Sequence, residues 1–182
     1  MNSERDIFVG WSNLGTLALV EERYEDATEL FRWTLEYEES HGDTEGVIVS
    51  VGNLGIAAVL GGDPREALAF LRRALELSAD LGHREFIAGS LDGLSAAYAI
   101  AGDTEDAAIL LGIAESVRAS AGLAREAIEA RLYEKTMDLL SKSMPAERLR
   151  DTIARGRQKG LTEGVAYALE ALGRPSVGGR DN

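Results

Sequence analysis

Cysteine is missing from this 182-residue chain, and histidine is limited to His41 and His83. Disulfide frameworks, zinc fingers, iron–sulfur clusters and thiol catalysis have no residues to work with. Basic side chains are scarce too: nineteen Lys and Arg face thirty-one Asp and Glu, a formal charge of -12. Such a chain repels a phosphate backbone, so direct contact with nucleic acid is not expected. No uninterrupted apolar run approaches the ~18 residues of a membrane span, and Met1 to Gly10 lacks the basic and apolar regions of a signal peptide. The expected location is cytoplasmic, with no membrane partner. No G-x-x-x-x-G-K-[ST] run occurs, and no basic recognition helix is apparent. What remains is 45% hydrophobic and 27% charged, the composition of a globular chain with a real core.

The positive signal is repetition at a step of 40 residues. Leu14, Leu54 and Leu94 recur in one register, Ala27, Ala67 and Ala107 in a second, and Gly42, Gly82 and Gly122 in a third. Phe31, Leu71 and Leu111 keep the same step, as do Tyr37, Leu77 and Val117. Apolar spacing inside a unit is helical, and two helical stretches flank a break at Gly62 and Asp63, so each unit is a helix pair. Gly62 suits a left-handed helix end, Asp63 an N-cap, Pro64 the first helical position and Glu66 a capping box. Gly102, Asp103 and Asp106 promise a similar turn. The first unit has Glu22 and Arg23 at the matching places, without glycine or cap, and its turn should be softer by ~1 kcal/mol. Pairs are expected at about residues 3–42, 43–82 and 83–122. From Leu123 the repeat lapses into a helical cap over 123–173, in which Pro145 starts one helix and Thr162 caps the last, and residues 174–182 should be a disordered tail.

These residues carry a family resemblance. Trp11, Leu14, Gly15, Ala27 and Phe31 match the tetratricopeptide pattern W-x2-L-G with A-x3-F following; Val51, Leu54, Gly55, Ala67 and Leu71 match in the second unit, and Leu91, Leu94, Ser95, Tyr98, Ala107 and Leu111 in the third. The period is longer than the usual ~34 and the closing proline is missing. Long repeats of this kind resemble the C-terminal arrays of bacterial transcription regulators of the LuxR and maltose-regulator types and of signalling ATPases. Gly102-Asp103 followed by Ala107 to Glu115 is similar to the last repeat of those arrays. The resemblance implies an all-α, right-handed helix-pair solenoid and a non-enzymatic protein-binding or sensory module, a small-molecule inducer sensor being the alternative.

By the same resemblance, the inner helices would present Val9, Ser12, Asn13, Thr16 and Val20, then Val49, Gly52, Asn53, Ile56 and Leu60, then Gly89, Asp92, Gly93, Ala96 and Ile100 to a concave face for protein or peptide. Asn13 and Asn53 can each donate to and accept from a peptide backbone, or else bond helix to helix within the repeat. No catalytic, cofactor-binding or metal-ligating residues are expected. Adjacent acids such as Glu21-Glu22 diverge on a helix, and no serine has a plausible histidine partner. Trp33 is a candidate interface anchor or a half-covered helix residue. Ile7, Phe8 and Leu17 mark an N-terminal helix face with no earlier unit to cover it, expected either where a domain is cut from a longer array or at a self-association contact. Charge is graded: residues 1–45 hold twelve acids against three bases and residues 123–182 nine against eleven. That gradient reads either as ordinary solvated faces or as head-to-tail attraction or an acidic partner at the cap.

Overall fold

In the computed structural model residues 4–174 are described, with side chains from residue 6 onward. Among them every regular element is helical: α1 (Glu4–Val20), α2 (Tyr24–His41), α3 (Thr44–Gly61), α4 (Pro64–Leu81), α5 (Arg84–Ala101), α6 (Thr104–Ala121), α7 (Ala127–Ser143), α8 (Ala146–Arg157) and α9 (Leu161–Gly173). From α1 to α6 each helix packs on the next, giving a solenoid of three helix pairs. One local device ends every one of these helices. Gly42, Gly62, Gly82, Gly102 and Gly122 take left-handed backbone, and the N–H that follows reaches back to a carbonyl five residues earlier, as from Asp63 to Ala58 at 2.8 Å. Glu22 does the same at φ 63°, as a non-glycine residue, and Arg23 after it makes no side-chain cap.

Helix starts follow the sequence only in part. Asp43 accepts from the Gly46 N–H at 3.0 Å, and Asp63 from the N–H groups of Arg65 and Glu66. Asp103 makes no such bond, and Glu66 leaves the expected capping box to pair with Arg32 at 2.6 Å. The N–H that a capping box would offer Glu66 is that of Asp63, which already donates to the Ala58 carbonyl at 2.8 Å, so the carboxylate goes to the guanidinium. At α9 the N-cap is Gly160, with Thr162 already one residue inside the helix.

Packing repeats with the sequence. Phe31, Leu71 and Leu111 are wholly buried at the step of 40. On the inner helices Val47, Ser50, Leu54 and Ala57 of α3, and Ile87, Ser90, Leu94 and Ala97 of α5, are buried against the preceding pair. Their counterparts Ile7, Leu14 and Leu17 on α1 are about half exposed, because no preceding pair covers them among the described residues. Against the expectation that no apolar run approaches a membrane span, Thr44–Gly61, with a mean hydropathy of 1.5, is long and apolar enough to cross a membrane, because small Gly and Ser residues break its apolar positions without adding charge beyond Glu45. Here it is the central core helix, packed against α2, α4 and α5.

The C-terminal helices fold back over the last pair. α7 lies against α5, α8 on α6, and α9 on α6 with a smaller contact to α4. The α6–α8 crossing is closed by two glycines: a Cβ on Gly112 would sit 2.1 Å from the Ile153 carbonyl oxygen, and one on Gly156 2.2 Å from that of Ile109. Cap arginines pair mostly with acids of the third helix pair, and among the described residues only Glu22 of the acids in residues 1–45 meets one. Arg125 pairs with Asp92, Arg131 with Glu22, Arg148 and Arg155 with Glu105, Arg157 with Glu115, and Arg174 with Asp106. The cap is thus held by ion pairs chiefly to α5 and α6. From residue 175 the tail expected to be disordered lies outside the described residues.

Candidate functional site: the inner groove

The inner faces of α1, α3 and α5 enclose a groove whose far end is shut by the start of α7, leaving a cavity of about 400 Å³. Eight of the expected inner residues line it: Ser12, Asn13, Thr16, Val49, Gly52, Asn53, Ile56 and Gly89. They share the cavity because α1 and α3 are parallel copies in register, so Asn13 and Asn53 occupy the same seat on neighbouring helices. Neither amide is hydrogen-bonded to another described residue. Thr16 is turned inward onto its own helix, donating to the Ser12 carbonyl at 3.1 Å.

The other expected inner residues lie elsewhere. Val9 is exposed one turn before the cavity begins. Leu60 is buried in the core, and Asp92 and Ala96 are buried rather than presented to the groove. The physical cause for the last two is α7, which covers the inner face of α5. Asp92 meets Arg125 at 3.0 Å and Arg118 at 2.9 Å. Arg118 also donates to the Ala124 carbonyl at 3.0 Å and to Glu129 at 2.7 Å, and the second Glu129 oxygen accepts from the Glu126 N–H at 2.9 Å. Arg125 lies over the Tyr133 ring, 4.1 Å from its centre. Burial pushes the Asp92 carboxyl up, and the two guanidiniums pull against it. With a cation on each oxygen, the carboxylate is the form this geometry holds.

Sequence reasoning missed Glu85 and Phe86, one turn ahead of the chosen α5 positions, and Glu126, Ile128 and Glu129 of the cap, all of which line the cavity. The register does not point to the first two, since Glu45 and Gly46 at the matching places of α3 do not line the cavity. Nothing in the repeat signals that the chain after Gly122 turns back into the groove.

The N-terminal candidates form a separate surface. Ile7 and Leu17 lie on the uncovered α1 face. Phe8 stacks on Tyr37 with ring centres 3.8 Å apart and meets Trp11 edge-on at 4.7 Å; Trp11 meets Trp33 at 5.1 Å. Trp33 is therefore a half-covered member of an aromatic cluster, 42% exposed. His41 stacks on Tyr37, and His83 lies 3.6 Å from Glu45. Among the described residues no three His, Asp or Glu side chains are grouped as a metal site.

Against known families, residues 6–80 match the tetratricopeptide repeat. The match spans the first two helix pairs, and the all-helical architecture carries the same tetratricopeptide-like solenoid through the third. No curated protein and no solved structure matches the chain.

Proposed function

We propose that this chain is a non-enzymatic protein-interaction or sensory module that holds an extended segment of another protein in the groove between α1, α3 and α5. The observation that carries this is the pair Asn13 and Asn53: two unbonded amides in equivalent seats, lining one cavity. An amide can donate to and accept from a peptide backbone at once, so a stacked pair grips main chain without reading sequence. The resemblance of the Gly102–Glu115 segment to the last repeat of regulator arrays supports a place in the C-terminal part of a bacterial transcription regulator or signalling ATPase. Composition and charge support a cytoplasmic setting with no direct contact to nucleic acid or membrane. Replacing Asn13 and Asn53 together by Ala should weaken a partner captured from the source lysate while melting stays nearly unchanged. A large drop in melting temperature would instead make the pair structural.

A second reading has its own observation. Because α7 closes one end, the groove becomes a cavity of about 400 Å³, within the size range of small-molecule pockets. A small apolar inducer bound there would raise the melting temperature with the logarithm of its concentration above its dissociation constant, with no protein partner present.

A further inference from the structure

We infer that the segment held in the groove is basic, with a lysine or arginine side chain directed to Glu85 and Glu126. This rests on the groove being a peptide site and adds the chemistry of its occupant. No Lys or Arg lines the cavity, whereas three carboxylates do: Glu85, Glu126 and Glu129. Glu129 is already spent, since Asp92 and Glu129 balance Arg118 and Arg125 in a closed network. Across the groove, Glu22 is balanced by Arg131 at 2.5 Å. Glu85 and Glu126 are left, both exposed and neither in an ion pair with a described residue. The mouth therefore carries two carboxylates without a cationic partner among the described residues, Glu85 free of any cap and Glu126 closing the capping box at the start of α7, within the field of a chain of net charge -12.

The rest of the wall fits the stem of such a side chain. Val49, Ile56, Phe86 and Ile128 supply apolar surface beside the carboxylates. A long basic side chain buries its methylenes on surface of this kind while its head stays at the wetter rim. The Asn13 and Asn53 amides remain for the peptide backbone. An acidic segment or a terminal carboxylate would meet like charge with no cation to receive it, a juxtaposition that costs affinity and selects against such partners.

The test is selection of a random dodecapeptide pool on the full-length chain. The recovered peptides should be enriched in Lys or Arg, and a chosen peptide should lose roughly tenfold in affinity on Glu85→Gln with Glu126→Gln, the size of one charge-assisted contact. Glu85→Gln alone should leave the melting temperature unchanged, and Glu126→Gln should lower it only by the loss of the α7 cap that it closes. Glu25→Gln with Glu29→Gln, exposed acids of α2 that do not line the cavity, should leave affinity unchanged. Recovery of no peptide, enrichment in neutral or acidic peptides, or indifference to the loss of Glu85 and Glu126 overturns the inference. Non-basic peptides that still need Asn13 and Asn53 leave the groove a peptide site and sink only the charge preference; recovery indifferent to both pairs sinks both. Spermine, which offers ammonium groups without a backbone, should displace the peptide only in large excess. Displacement at equal concentration assigns the mouth to a free polyamine and overturns the peptide as occupant.

Discussion

Glu22 holds a left-handed backbone that the other five turns of the array give to glycine. A Cβ in that region costs roughly 1–2 kcal/mol, and the residue gets back only an exposed ion pair with Arg131, worth under about 1 kcal/mol. Glu22→Gly should therefore stabilise the protein by about 0.5–1 kcal/mol in denaturant unfolding; a loss would mean that the Arg131 contact matters more than the strain. Glu38 is a second local conflict. Its carboxyl is wedged beneath Gly46, with Oε2 buried and unbonded. Burial pushes it up, Asp43 nearby pushes the same way, and a hydrogen bond from Ser50 only partly opposes them. A raised carboxyl favours the protonated folded form, so its stabilising effect is full below the ordinary glutamate value and fades as pH rises through the raised one. Glu38→Gln should melt above wild type at pH 7, with the gap closing below about pH 4.3. A gap that widened on acidification would refute the assignment.

Among the elements, α7 decides what the groove is. It could have stacked as the inner helix of a fourth pair, but α8 takes the main contact with α6 and α7 is drawn across α5 by the Asp92–Arg118–Arg125–Glu129 network. Removing one member of a buried charge set strands the others, so Asp92→Ala should cost about 3–5 kcal/mol. Limited proteolysis should then cut between Gly122 and Ala127 before any cut within α3 or α4, and simultaneous loss of the whole chain would argue against α7 as a separable strap. The six array helices were legible in the sequence because glycine turns and apolar anchors return every 40 residues. The first two inner helices were legible for the same reason, Asn13 and Asn53 included. Asp92 and Ala96 were misplaced because the register predicts which face a residue takes, not what a non-repeating segment later lays over it. The opposite misreading occurred at Glu66, whose spacing suited a capping box but whose neighbour on α2 is Arg32.

At the scale of the whole molecule the two ends are unlike. The C-terminal end is sealed: α8 covers α6 at the Gly112–Gly156 crossing, and Tyr167 of α9 donates its hydroxyl to Asp106. At the other end Ile7, Leu14 and Leu17 each show about half of their surface, whereas the matching residues of α3 and α5 are buried. The interior pairs thus reveal what this face is shaped for, namely the side of another helix. From Ile7 to Val20 the chain carries no charge, so the contact strip itself sets no like charges face to face although acids flank it, and Gly10 leaves open space at the centre of the face. An apolar helix side left bare in solution favours a symmetric, self-complementary contact. Light scattering should show the apparent mass of the wild type rising with concentration and that of Leu17→Glu holding at the monomer. The substitution should not lower the melting temperature of the monomer, because Leu17 is already half exposed. A wild type that stays monomeric at every concentration, with amide exchange showing α1 protected throughout, would mean that this face is covered within one chain and would remove the contact from consideration.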